Sequence, residues 1–203
     1  MPTRRNGPVS SNVRRHQILI RLYLKFKRVD MHLTAILLSI ALFYGCADTT
    51  QITRASGSSS LLSRQTTAYV GVPQDGRYGN TIYPGSGALV AQSVAVAFSP
   101  YLTKVTTGVR FEDFDLSLRS AQLGGFAYLL YPEILHWEDR ATEWSGKPDV
   151  ASLKLSIVRV DTGVVIDSVV LGGKSGLATF GGDRPEHLLP KPLADYAAII
   201  FRQ

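Results

Sequence analysis

Residues 153–171 read LKLSIVRVDTGVVIDSVVL, and much of the architecture follows from them. Leu153, Leu155 and Ile157 alternate with Lys154 and Ser156, the period-two pattern of a strand with one buried face. Asp161, Thr162 and Gly163 supply a tight turn, and Val164 to Leu171 is dominated by β-branched residues. The stretch is a β-hairpin, so the fold contains an antiparallel sheet.

Just upstream, FAYLLYPEILHW (126–137) is the strongest single strand. Pro132 inside it cannot donate a ladder hydrogen bond, which predicts a bulge or an edge position there. Further upstream the period changes. From Ser86 or Gly87, the apolar residues Val90, Val94, Ala97, Phe98 and Tyr101 follow one helical face, with Pro100 in the last turn. Lys104 to Val109 reads as a strand. Asp113 or Asp115 then caps a helix carrying Phe114, Leu118 and Ala121, stopped by Gly124-Gly125. Tyr69 to Val72 is a short first strand, and Gln74 to Gly87 is a long glycine-rich loop. Downstream of the hairpin, a final helix runs from about Leu193 to Phe201 with Pro192 in its first turn. The order β-α-β-α-β-β-β-α predicts a single small α/β (α+β) domain over residues 68–203, with helices packed on a mixed sheet of about five strands.

The formal net charge of +6 suggests a nucleic-acid binder until it is divided by position. Residues 1–30 hold eight Lys/Arg against Asp30 alone, a net +7. Residues 31–45 hold no charge, and residues 46–203 hold 14 basic against 15 acidic side chains, a net −1. A phosphate backbone requires clustered Lys/Arg on the folded surface, and the body has no such surplus. Nucleic acid is excluded as the expected partner. One cysteine, Cys46, permits no internal disulfide and no Cys-rich zinc module.

Residues 1–45 read as a leader with a signal peptide, of which 31–45 form the apolar core and cleavage region. The apolar run Leu33–Tyr44 is shorter than the roughly 20 residues a helix needs to cross the bilayer core. Met31 is an alternative start; Arg14-Arg15 as a twin-arginine signal, or the first 29 residues as a transit peptide, are the other readings. The sequence Leu42-Phe43-Tyr44-Gly45-Cys46 resembles the lipobox of bacterial lipoproteins. That resemblance implies cleavage after Gly45 and acylation of Cys46 with diacylglycerol and an N-acyl chain such as palmitate. More than one chain gives stable anchoring, since each buried CH₂ contributes about 0.8 kcal/mol. Ala47, rather than an acidic residue, follows the cysteine, which by the same resemblance favours the periplasmic face of the outer membrane over the inner membrane. Residues 46–67 are rich in Ser and Thr with no clear period, and read as a flexible tether behind the lipidated cysteine, with an early strand or helix around Ile52 or Leu61-Leu62 as the lesser reading.

YVGVPQDG (69–76), YLLYPEILHWEDRATEWSG (128–146) and TFGGDRPEHLLPKPL (179–193) resemble segments of an uncharacterised proteobacterial lipoprotein family defined as a domain of unknown function. The element order is more distantly similar to the small N-terminal α/β domain of TolB-like periplasmic proteins and of curli-export lipoproteins. The resemblance implies a location and a fold, and no activity.

Gly172-Gly173-Lys174-Ser175 lacks the earlier glycine of a phosphate loop and opens no helix. Gly85-Ser86-Gly87 precedes a helix, but the third glycine position of a dinucleotide loop is Val90. No cofactor is expected. His136, Glu138, Asp139 and Glu143 are metal-type ligands, yet strand geometry sends His136 and Glu138 to one face and Asp139 to the other. Both tryptophans, Trp137 and Trp144, fall beside Glu138, Asp139, Arg140 and Glu143, either as a recognition patch or, for at least one indole, as a plug in the core. Tyr78 and Tyr83 extend the candidate patch, because glycine-rich loops longer than about 12 residues are often functional.

The favoured reading is a membrane-anchored envelope lipoprotein whose periplasmic domain binds or scaffolds, with an envelope protein as its partner and no catalysis. One alternative is a periplasmic hydrolase or metal-dependent enzyme using His136, Glu138, Asp139 or His187. The other is a small-ligand or peptidoglycan-binding module using the Trp137–Trp144 segment.

Overall fold

The structure, a computed structural model, describes residues 48–57, 62–139, 148–176 and 184–201. Its strands are β1 (Thr49–Gly57), β2 (Thr67–Val72), β3 (Arg77–Tyr78), β4 (Thr81–Ile82), β5 (Lys104–Phe111), β6 (Tyr128–Glu138), β7 (Val150–Arg159) and β8 (Val164–Lys174). Its α-helices are α1 (Ser86–Phe98), α2 (Phe114–Leu123) and α3 (Pro190–Ile200), the last preceded by a 3-10 turn at Pro185–Leu188. Six strands form one mixed sheet in the order β1-β8-β7-β6-β2-β5, and β3 and β4 form a separate two-stranded ribbon.

The predicted hairpin is β7–β8, paired antiparallel from Val150 opposite Lys174 to Arg159 opposite Val164. Leu153, Leu155, Ile157, Val169 and Leu171 are buried on one face against α1 and α3, whose Val90, Val94, Phe98, Leu193, Tyr196 and Ile200 complete the main core. A smaller cluster covers part of the other face, where Ala121 of α2 packs with Tyr69, Leu129, Val158 and Val160. Each buried aliphatic side chain contributes roughly 1.5–3 kcal/mol, so the two faces are unequal supports. Asp113 is the cap of α2, its carboxylate accepting from the Leu116 amide at 2.9 Å.

The sheet has one strand more than the five or so expected, and the extra one comes from the stretch read as a tether. Strand β1 lies antiparallel to β8, with Thr49 opposite Lys174 and Gly57 opposite Asp167. Threonine fits a pleated surface well, and TTQITRASG carries three of them. Residues 48–54 are exposed, so an edge strand of this kind shows no apolar alternation to read. An ion pair onto a buried carboxylate fixes it. Asp167 is 2% exposed and accepts from Arg54 at 2.8 Å and from the Tyr196 hydroxyl at 3.0 Å, while its other oxygen accepts from the Ser168 amide at 2.8 Å. Burial, then the adjacent Asp167 carboxylate, pushes the Tyr196 phenol far above its ordinary value of 10.0. The carboxylate of Asp48 accepts from the Gly176 amide at 3.0 Å and pins the start of β1.

Strand β6 explains Pro132. It pairs with β7 along its length but with the parallel β2 only over Tyr128–Leu130. Pro132 thus lies just past the stretch paired with β2, where the strand has a neighbour on the β7 side only, the edge-like position expected of a strand proline. Three residues later the register shifts between Ile134 and His136.

Candidate functional site

The register shift in β6 decides which side chains of the predicted patch reach the surface. Tyr128, Leu130 and Ile134 face the main core at even positions, and an unbroken strand would continue with His136. One extra residue at Leu135 reverses the alternation. Trp137 therefore joins the main core, 2% exposed, and Leu135 projects outward, 54% exposed. Gly76 is the complement of this burial: a Cβ there would lie 2.6 Å from Trp137 Cβ, so the glycine is where the loop crosses the indole. The reading of Trp137 as a surface recognition residue is corrected; it plugs one end of the core.

His136 and Glu138 share the opposite face. His136 Nε2 lies 3.2 Å from Glu138 Oε2, with the imidazole part exposed and the carboxylate mostly buried. The ring of Tyr78 meets the His136 ring edge-on at 5.6 Å between centroids, and the Tyr83 hydroxyl donates to the Asp139 carbonyl at 3.3 Å. So Tyr78, Tyr83, His136, Glu138 and Asp139 do come together, because the glycine-rich loop folds onto the end of β6. His187 sits apart from them in sequence and structure, exposed in the 3-10 turn. No group of three His, Cys, Asp or Glu side chains gathers among the described residues. Arg140, Glu143 and Trp144 lie outside the described residues, as do Gly45 and Cys46.

The glycine-rich loop is ordered around a carboxylate. Asp75 accepts from the Gly85 amide at 3.1 Å and from the Gly87 amide at 2.9 Å, at the N-terminus of α1. Ser86 Oγ accepts from the Gly76 amide at 2.8 Å and donates to the Tyr83 carbonyl at 2.7 Å. A helix N-terminus attracts anions, and here the protein's own aspartate takes that place. The Gly172-Gly173 pair has an equally plain origin: a Cβ on Gly173 would lie 2.7 Å from Leu188, so the glycine lets the 3-10 turn rest against β8.

Sequence reasoning missed a second set of residues. The end of β2 leads into α1 on the main-core face, while the end of the adjacent β5 leads into α2 on the other face. Neighbouring parallel strands whose connections leave to opposite faces open a crevice at their carboxyl ends, the usual ligand position in such sheets. A cavity of about 390 Å³ occupies this crevice, between Val72–Asp75, Arg77, Ile82 and Gly85 on one side and Val109–Phe111 on the other. A second of about 360 Å³ shares Pro73–Asp75, Arg77 and Phe111 and runs beside Tyr131–His136 of β6. Burial, then the Glu133 and Asp113 carboxylates, pushes the Tyr131 phenol up, so it stays a neutral hydroxyl in this groove.

The rim of the two cavities is apolar and basic. Val109 is 96% exposed, Phe111 and Ile82 are each 52%, and Tyr78 is 43%. Val109 projects because β5 bulges: Val70 pairs with Thr107, but Val72 pairs with Phe111. Arg77 and Arg110 are exposed, and neither has a hydrogen-bond or ion-pair partner among the described residues. The element order predicted from sequence was the available signal, since it places the switch point between the first two strands.

A family model described as a domain of unknown function (DUF4823) matches residues 60–200. The chain belongs to that family. No curated protein matches it. Among solved structures, the DUF4823 chain is similar to the PelC dodecamer from Paraburkholderia phytofirmans, with 14% identity and a TM-score of 0.58 over 76% of this chain and 99% of that one. It is similar also to lipoprotein GNA1162 from Neisseria meningitidis, with 15% identity and a TM-score of 0.40 over 55% of this chain and 84% of that one. The likeness to PelC is one of fold.

Proposed function

We propose that this DUF4823 protein is an envelope lipoprotein, anchored through acylated Cys46 at the periplasmic face of the outer membrane, whose folded domain is a binding or scaffold module and not an enzyme. The observation that carries the binding role is the rim at the switch point, where Ile82, Val109 and Phe111 stand exposed between two exposed arginines, Arg77 and Arg110. Exposed apolar residues gathered at one place and bordered by arginine are the composition of a protein-recognition surface. The fitting partner is an envelope protein segment bearing apolar and acidic side chains. The anchor rests on the leader and the lone cysteine that ends it.

Intact-mass spectrometry of membrane-extracted protein tests the anchor: the expected species begins at Cys46 and carries acyl chains, and a soluble species or one retaining residues 1–45 overturns it. A photocrosslinker at Val109 in the full chain tests the surface. It is expected to capture one dominant envelope protein, and the adduct should disappear in Arg77→Glu/Arg110→Glu. An adduct unchanged by that charge reversal removes the assignment.

A further inference from the structure

The anchor and the sheet are closer than a tether would allow, and this sets which end of the domain meets the bilayer. Asp48 is held by the Gly176 amide at 3.0 Å, and β1 is locked from Thr49 onward against β8. Arg54 reaches the buried Asp167 at 2.8 Å, so the strand is bound by a side-chain latch as well as by its ladder. Two peptide steps separate Cys46 from Asp48, a reach of no more than about 7 Å. A free linker covering residues 46–67 would instead have a root-mean-square span of about 25 Å.

We infer that the end of the sheet formed by Thr49, Lys174, Val150 and Glu138 faces the lipid headgroups, held there by the short connection to the acylated cysteine. These four positions are neighbours: Thr49 pairs with Lys174, Lys174 with Val150, and Val150 with Glu138. The opposite end, at the Asp161–Gly163 turn, then points away from the membrane. Strand β8 has 11 residues, so the two ends are separated by roughly 30 Å. The same orientation directs the carboxyl ends of β2 and β6, and with them the loop that packs on Asp139, toward the membrane side. A partner reaching the Val109–Phe111 rim would approach from the side of a domain seated on the bilayer. The occupant of the end surface is the bilayer itself, and the inference rests on the lipidation proposed above.

Acylation consumes the native thiol, so an introduced cysteine is the single labelling site in the mature protein. Lys174→Cys and Asp161→Cys, both at exposed positions, are labelled with an environment-sensitive fluorophore. Each full-length lipidated protein is reconstituted in phosphatidylethanolamine/phosphatidylglycerol vesicles containing a nitroxide-headgroup lipid. The expected result is loss of most emission at position 174 and none at position 161. A 20-residue Gly/Ser insertion between Ala47 and Asp48, which leaves the latch intact, should abolish the contrast while the protein still floats with the vesicles. Flotation with equal quenching at both positions, or a contrast that survives the insertion, overturns the orientation and leaves the anchor standing. Failure to float overturns the anchor, and the orientation with it.

Discussion

Strands β1 and β5 are the two edges of the same sheet, and they are built in opposite ways. Strand β1 is polar, antiparallel to its neighbour over its length, and clamped by Arg54 to a buried carboxylate. Strand β5 is parallel to β2, loses regular pairing after Thr107, and turns Val109, Arg110 and Phe111 to solvent. Exposed edges invite unwanted pairing, and a bulge discourages it. At β5 the bulge does this while presenting apolar side chains beside a crevice; at β1 the exposed residues are Thr, Gln and Arg with a single apolar side chain, Ile52, among them. One edge closes the domain, and the other leaves apolar side chains exposed beside a crevice.

The largest expected effect comes from opening the closed edge. Arg54→Ala leaves Asp167 buried without its cation and should cost about 1.5 kcal/mol, less than a fully buried pair would lose, because the Arg54 side chain is 39% exposed and screened by solvent. Urea midpoints measure it, and a loss well under 1 kcal/mol would mean that β1 is held by its ladder alone. Tyr196→Phe removes one donor to the same carboxylate and should cost about 1 kcal/mol at neutral pH. Its pH dependence is sharper. A phenol raised above its unfolded value of 10.0 stays protonated in the folded state while the unfolded chain loses its proton. The stability from that phenol is therefore complete below pH 10 and declines as the solution becomes more alkaline. Tyr196→Phe should flatten this decline, and an unchanged slope in alkaline unfolding curves would refute the assignment.

At the open edge the effects are smaller. A Cβ on Gly108 would lie 2.8 Å from the Tyr69 hydroxyl, which donates to Glu112 at 3.2 Å. Gly108→Ala should therefore cost about 1 kcal/mol by displacing that ring, within the usual range for a local packing change. Val109→Ser should change stability by less than about 0.5 kcal/mol, since the side chain touches little. With the photocrosslinker moved to the neighbouring rim residue Ile82, the same substitution should reduce capture of the partner, and a neutral effect on both stability and capture would mean that Val109 binds nothing.

The fold was legible where burial imposes a period. The β7–β8 hairpin alternates because one of its faces meets α1 and α3, and α2 announced itself through the Asp113 cap. Strand β1 was only faintly legible, as the lesser reading around Ile52, because an exposed edge needs no alternation and its partner strand lies more than 100 residues away. The candidate site was half legible. Tyr78, Tyr83, His136, Glu138 and Asp139 converge as a group, but the shift at Leu135 sends Trp137 inward, and no residue type in PEILHW marks that extra position. Val109 and Phe111 looked like ordinary strand residues until the pairing with β2 showed where the ladder breaks.

Asp48 and Gly176, which close the sheet at one corner, are 128 positions apart. A polypeptide that emerges from its N-terminus onward therefore displays β1 as an unmatched ribbon until nearly everything else has followed. Long-range closure of this kind is slow, and the last strand to arrive completes the first one made. Truncation before Asp167 would leave β1 without its partner, so the integrity of β8 governs the state of a strand more than 100 residues upstream.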